Sequence, residues 1–199
     1  MSDARPILLG ADDLRAIVER IGGEIARDHP RGVVLVGVLK GALLFLADLA
    51  RAIPDIGVEV DFIAITRFAP NSGRVRITQD VEVDIADRDV VIVEDIIDTG
   101  LTVSYLKTQL AARGPNSLDV CALLDRESRR IVPEPVRYRG VVLDHGFVLG
   151  YGLHYRDLYR NLPFVALGDR DEVRAQPEIY VSELYGASAT LRTPGSGER

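Results

Sequence analysis

Apolar residues at Leu14, Ile17, Val18, Ile21 and Ile25 recur at the three-and-four spacing of one helical face. They predict a helix over 12–27, with Asp12 or Asp13 available to cap it. VVLVG at 33–37 is a continuous apolar run closed by glycine, the pattern of a strand covered on both faces. ALLFLADLARAI at 42–53 predicts a second helix with Leu43, Leu46, Leu49 and Ala50 facing the sheet. VEVDFIAIT at 58–66 is a long strand, RFAPNSG at 67–73 is polar and rich in breakers, and RVRIT at 74–78 alternates like a half-exposed strand. This predicts a two-stranded excursion with a mobile tip. DVVIV at 89–93, SLDVCALL at 117–124, GVVLD at 140–144 and LPFVALG at 162–168 continue the series of buried strands. A helix is expected from about Leu101 to Ala112, ahead of the Arg113-Gly114-Pro115 stop, and short helical turns over 171–185. Strands alternating with helices mean βαβ units and a mostly parallel sheet, an α/β fold.

Composition narrows the class. The chain has 199 residues, 47% of them hydrophobic, which suits one generous domain with a real core. A formal charge of −6 argues against a general nucleic-acid surface. Only Lys40 and Lys107 are lysines; every other basic residue is arginine. Cys121 is the lone cysteine and lies in an apolar run, so it reads as a small buried hydrophobe rather than half of a disulfide. His29, His145 and His154 show no metalloprotease spacing. Apolar stretches are interrupted by Lys40, Asp48 or Glu94, short of a membrane span, and MSDARPILLG lacks the basic-then-apolar order of a signal peptide. A cytoplasmic location is the expectation.

Ligands of open parallel sheets bind beyond the carboxyl ends of the strands. Four segments fall there: GVLKG at 37–41, EDIIDTGLT at 94–102, LDRESR at 124–129 and DHGFVLGYG at 144–152. None is a dinucleotide-binding glycine turn or a P-loop. Glu94 and Asp95 end an apolar strand, and Asp98-Thr99-Gly100-Leu101-Thr102 opens a helix. Free N–H groups at that helix start, two threonine hydroxyls and a permissive glycine make a phosphate cradle. Carboxylates that close to a phosphate site suit a diol or a magnesium ion. A helix cap explains one acidic residue there, not three.

The wording of these segments is specific. VVIVEDIIDTGLT at 90–102 resembles the phosphoribosyl-pyrophosphate (PRPP) motif of type I phosphoribosyltransferases. VGVLKGALLFLADL at 36–49, LLDRESRR at 123–130 and FVLGYGLHYRDLYRNLPFVALGD at 147–169 resemble the hypoxanthine-guanine branch, in the right order and spacing. The resemblance covers about residues 8–185. It implies the type I phosphoribosyltransferase fold: a mostly parallel five-stranded core sheet flanked by helices, with a small hood. As one domain, the core would run over about 30–168 and the hood over about 1–12 and 169–190. A closing loop would occupy about 66–78, and 191–199 would be a frayed tail. A homodimer or homotetramer is the usual assembly.

Residue by residue, the resemblance implies that Asp98, Thr99, Gly100, Leu101 and Thr102 wrap the 5′-phosphate, with Asp98 also the general acid/base at purine N7. Glu94 and Asp95 would approach the ribose hydroxyls, directly or through Mg2+. Leu39-Lys40-Gly41 resembles the pyrophosphate loop, where the family commonly has a non-proline cis bond at the Leu-Lys junction. Arg160 would reach the same pyrophosphate, Phe147 would stack on the purine, and the Val148 backbone would bond its edge. Tyr151, Tyr155 and Tyr159 form a four-residue stripe that reads as packing.

Three positions depart from the family pattern. Arg126 stands where a lysine normally meets the purine 6-oxo group. His154 stands where an aspartate normally helps hold magnesium, and imidazole is a poor magnesium ligand. Thr66-Arg67-Phe68 replaces the Ser-Tyr pair at the start of the closing loop. The implied substrates are PRPP and a 6-oxopurine, hypoxanthine or guanine, giving IMP or GMP. The alternatives are a phosphoribosyltransferase preferring xanthine or another 6-oxopurine, and a catalytically weak PRPP- or nucleotide-binding regulator.

Overall fold

Residues 6–67 and 75–191 are described by the computed structural model. In chain order the elements are β1 (Ile7–Leu9), α1 (Ala11–Asp28), β2 (Val33–Leu39), α2 (Leu43–Ala52), β3 (Val58–Arg67), β4 (Val75–Gln79) and β5 (Asp89–Ile97). There follow α3 (Leu101–Ala111), β6 (Ser117–Asp125), β7 (Tyr138–Val142), β8 (Phe147–Leu149), β9 (Val165–Gly168), α4 (Arg170–Ala175) and α5 (Val181–Leu191). They divide into two units, Arg15–His145 and, separately, the chain up to Leu14 with Gly146 onward.

The larger unit is a six-stranded sheet in the order β4-β3-β2-β5-β6-β7. Its five strands from β3 to β7 pair in parallel, and only β4 runs antiparallel, as the hairpin partner of β3. The hairpin confirms the two-stranded excursion; its tip, with Phe68, lies outside the described residues. Apolar strands of this kind need both faces covered, and Val34, Val36, Val90, Ile92, Leu106 and Leu110 pack into one cluster with no solvent exposure. Each such side chain contributes roughly 1.5–3 kcal/mol of transfer free energy. Cys121 is fully buried, as expected of a small hydrophobe.

Two sequence expectations are corrected. Leu43 does not face the sheet: it is 45% exposed, and α2 buries Phe45, Leu46 and Leu49 instead. Leu46 and Leu49 are buried as expected, and Leu43 is the first residue of the helix, on the side away from Phe45, Leu46 and Leu49. LPFVALG, expected as the last core strand, forms β9 of a separate three-stranded antiparallel sheet, β1-β9-β8. Its register pairs Leu9 with Val165 and Leu149 with Ala166. The smaller unit therefore begins at Gly146 rather than near 169, because its partner strands, β1 and β8, are three-residue segments too short to show a period of two. Leu149, Tyr159, Leu162, Phe164, Val173 and Tyr180 form its core. The tyrosine stripe is packing, with Tyr151 and Tyr159 buried. The tail at 192–199 lies outside the described residues. No helix among those described is long and apolar enough to cross a membrane.

Candidate active site

From β2 the chain passes to β3 on one side, and later returns to place β5 on the other. The sheet order thus reverses between β2 and β5, the switch point where open sheets bind ligands. The register shows the opening. The pairing of β2 with β3 continues to Leu39 and Ala64, whereas its pairing with β5 stops at Gly37 and Val93. Beyond that point lie Leu39-Lys40-Gly41 on one lip and Glu94-Asp95 on the other. Lys40 is exposed there, and the Leu39-Lys40 peptide bond is cis, as the resemblance implied.

The two lips meet closely. A Cβ built on Gly41 would lie 1.9 Å from Asp95 Oδ2, so only glycine allows this carboxylate to lie over the loop. Asp95 Oδ1 accepts the Ile96 N–H at 2.8 Å. Glu94 points into the sheet, 6% exposed, and burial together with the neighbouring Asp95 charge pushes its carboxyl well above the usual carboxylate range.

After β5, Gly100 takes the left-handed conformation (φ 80°) as the N-cap of α3, with no side chain of its own to cap the helix, and Thr99 Oγ1 accepts the Leu101 N–H at a long 3.4 Å. The loop's shape is fixed from behind. A Cβ at Gly100 would meet the Val132 carbonyl at 2.5 Å, and the Thr99 carbonyl accepts N–H bonds from Ile131 (2.9 Å) and Val132 (3.0 Å). N–H groups of a helix N-terminus beside Thr99 and Thr102 are donors suited to a phosphate. Asp98 stands at the mouth of this loop. Its Oδ1 is buried and lies 3.0 Å from Arg126 Nη1, an ion pair without hydrogen-bond alignment.

Arg126 is buried at the end of β6, and its N–H bonds the Ile97 carbonyl at 2.9 Å. The sequence did not disclose what holds this turn. Asp125 is 2% exposed and accepts from both Arg130 and Arg139, while Arg129 Nη1 lies 3.8 Å from Asp98. Thr66 is exposed near the end of β3 and Arg67 closes that strand.

Phe147, Val148, His154 and Arg160 belong to the smaller unit. Phe147 is half-buried and meets the Tyr155 ring edge-on, with centroids 6.2 Å apart. Val148 lies on β8, an edge strand bonded only to β9 within its sheet. Arg160 Nη1 donates to the Gly152 carbonyl at 2.6 Å, and Nη2 and Nε donate to Asp157 Oδ1 at 2.9 and 3.2 Å. Asp157, which holds the Arg160 guanidinium, was not singled out in the sequence; its only signal was its place three residues before an arginine.

A model of the phosphoribosyl transferase domain matches residues 10–156. The hypoxanthine-guanine phosphoribosyltransferase of Mycobacterium tuberculosis is 38% identical over 177 residues, covering 84% of this chain and 87% of the relative. The chain belongs to the hypoxanthine-guanine phosphoribosyltransferase family. Solved structures agree. A Trypanosoma cruzi hypoxanthine phosphoribosyl transferase superposes with a TM-score of 0.82 at 36% identity, covering 89% of this chain and 97% of that one. A Staphylococcus aureus hypoxanthine phosphoribosyltransferase gives 0.80 at 34%, covering 85% and 94%. These likenesses show the type I phosphoribosyltransferase fold that the motif wording implied.

The residues can be tested against the magnesium that this family resemblance implies. Among the described residues no group of three His, Cys, Asp or Glu side chains forms a metal cage. Glu94 and Asp95 are hard oxygen donors, and Asp95 lies across a glycine cradle. Magnesium typically takes one or two carboxylates and fills its shell with water and substrate oxygens, so Asp95 fits, and Glu94, buried with a raised pKa, would join it on losing its proton. His154 does not fit. Its Nδ1 accepts the Asp157 N–H at 2.9 Å, and a neutral imidazole has only one acceptor nitrogen.

Proposed function

We propose that the carboxyl end of the larger sheet binds PRPP and that Asp98 handles the proton of the incoming purine. The chain is a purine salvage phosphoribosyltransferase, transferring the 5-phosphoribosyl group of PRPP to hypoxanthine or guanine and giving IMP or GMP with pyrophosphate. In the proposed scheme Asp98, Thr99, Gly100, Leu101 and Thr102 hold the 5′-phosphate. Glu94 and Asp95 face the ribose hydroxyls. Leu39-Lys40-Gly41 and Arg160 bind the pyrophosphate, Arg126 meets the purine 6-oxo group, and Phe147 and Val148 hold the base. A purine ring nitrogen bonds to the anomeric carbon as the bond to the pyrophosphate oxygen breaks, with inversion. The proton at N7 passes to the Asp98 carboxylate, and the pairing of that carboxylate with Arg126 beside the phosphate loop is the observation that carries the proposal. Arg126, 3.0 Å away, keeps the carboxylate oriented.

Asp95 and a deprotonated Glu94 would hold magnesium, which when bound would supply charge compensation for the departing pyrophosphate. Thr66 and Arg67 stand at the end of β3, where the expected closing loop starts; Phe68 and the rest of that loop up to residue 74 lie outside the described residues. The larger unit is the catalytic core and the smaller one the hood. The same reading carries a homodimer or homotetramer in a cytoplasmic setting.

The test is pyrophosphate release with hypoxanthine, guanine, xanthine and adenine, each with PRPP and magnesium. Hypoxanthine or guanine turnover should fall about 10²–10⁴-fold in Asp98→Asn with thermal unfolding unchanged. Full turnover in that variant would remove Asp98 from the scheme. Faster turnover of xanthine than of either would move the base preference.

A further inference from the structure

Residues 150–162 trace a loop with unusual backbone. Tyr151 (φ 49°), Arg156 (48°), Asp157 (63°) and Tyr159 (75°) all occupy the left-handed region without being glycine. Part of this shape is a tight hairpin turn: Leu158 N–H bonds the Tyr155 carbonyl at 3.0 Å and Tyr155 N–H the Leu158 carbonyl at 3.4 Å, which places Arg156 and Asp157 at the two positive-φ positions. The backbone also supplies Tyr151 N–H to the Leu162 carbonyl (3.0 Å) and Gly152 N–H to the Arg160 carbonyl (2.9 Å). The side chains supply a connected series. His154 Nδ1 accepts the Asp157 N–H at 2.9 Å, Asp157 Oδ1 accepts from Arg160 Nη2 at 2.9 Å, and Arg160 Nη1 reaches back to the Gly152 carbonyl at 2.6 Å.

We infer that His154 is a positioning residue for Arg160. By accepting the Asp157 N–H its imidazole anchors this turn, which aims the Asp157 carboxylate at the Arg160 guanidinium and sets the direction that guanidinium presents to pyrophosphate. The inference rests on the proposed role of Arg160. It also explains why histidine is tolerated where an aspartate ligand was expected. The ring nitrogen that could face a cation is spent on a peptide N–H, and the other carries the proton. The position has changed from one that addresses a metal to one that addresses a loop.

Steady-state kinetics of His154→Ala, His154→Asn, Arg160→Ala and the His154→Ala/Arg160→Ala double variant test this. His154→Ala should raise the PRPP KM and the pyrophosphate inhibition constant roughly 3–10-fold, the worth of one hydrogen bond. The hypoxanthine KM and the magnesium half-saturation should not move. His154→Asn, whose carboxamide oxygen accepts the same N–H, should restore most of the loss. In the Arg160→Ala background His154→Ala should add nothing further. Should the alanine variant not fold, His154→Phe keeps a ring without the acceptor and carries the same expectation. A wild-type PRPP KM in His154→Ala, beside a raised one in Arg160→Ala, would overturn the inference. A shifted magnesium half-saturation would also overturn it, by returning His154 to the metal. An unchanged PRPP KM in Arg160→Ala would instead defeat the reading of Arg160 on which the inference stands.

Discussion

Two acids at the amino end of the larger sheet, Asp28 and Asp89, and one at its carboxyl end, Glu94, are shifted by their surroundings in opposite directions. At the amino end His29 is 3% exposed, and its Nε2 lies 3.0 Å from the Tyr138 hydroxyl. That hydroxyl donates to Asp28 at 3.0 Å, and Arg137 joins Asp28 (2.9 Å) to Asp119 (3.0 Å). Asp89 accepts from Ser117 at 2.7 Å and from Asn116. Burial alone would raise the Asp28 carboxyl, but the Tyr138 and Arg137 hydrogen bonds bring it below its usual value; at Asp89 the Ser117 bond outweighs burial. At the carboxyl end Asp125 is likewise met by Arg130 and Arg139, and Asp98 Oδ1 lies 3.0 Å from Arg126, but Glu94 is buried beside another carboxylate and is pushed the other way. Carboxylates met by donors hold the fold together. An acid buried beside a like charge is set up for a ligand, and perturbed acids of that kind gather at functional sites.

Substitutions at each end should separate stability from activity. The largest effect is expected at the substrate end. Gly41→Ala places a methyl group 1.9 Å from Asp95 Oδ2, and the resulting shift should lower kcat/KM for PRPP about 10²-fold in steady-state assays. Unaltered kinetics would mean that the close approach of the two lips has no role. At the opposite end, Tyr138→Phe removes the hydroxyl shared by His29 and Asp28. Urea unfolding should show a loss of about 1–3 kcal/mol, with turnover within twofold of wild type. A large loss of turnover there would erase the contrast. Acid should act on the same end. Asp28 and Asp89 have lowered pKa values, so their stabilisation is full above the ordinary carboxylate range and lost as pH falls through the lowered values. The smallest effect belongs to Arg126→Lys. It keeps the charge beside Asp98 but gives up the guanidinium fork, and should change the hypoxanthine KM by less than about tenfold.

Much of this was legible in the sequence where the signal is local. Continuous apolar runs announced β2, β5 and β6, and the spacing of Leu14, Val18, Ile21 and Ile25 announced α1. The wording of 94–102 announced the family. Pairings distant in sequence were not legible. Nothing local in Ile7–Leu9 says that it will pair with Val165 and Ala166, so β9 was assigned to the wrong sheet. Leu43 was misplaced because apolar residues ran past the helix start. His154 stood out only as a departure, and its partner Asp157 became visible once the loop's hydrogen bonds were known. The contact of Arg126 with Asp98 depends on β5 and β6 lying side by side, which a list of motifs does not state.

The contrast between the two ends rests most heavily on Glu94, and one measurement addresses it: the pH dependence of urea unfolding for the wild type and Glu94→Gln without substrates. In the folded chain Glu94 keeps its proton at pH values where the unfolded chain has lost it. Wild-type stability should therefore weaken as pH rises from the ordinary glutamate value of 4.5 toward the raised one. Glutamine has no such proton to lose. The advantage of Glu94→Gln over wild type should grow with pH across that window and be flat below it. A difference between the two proteins that stays constant from about pH 4 to pH 8 would contradict a buried, protonated Glu94.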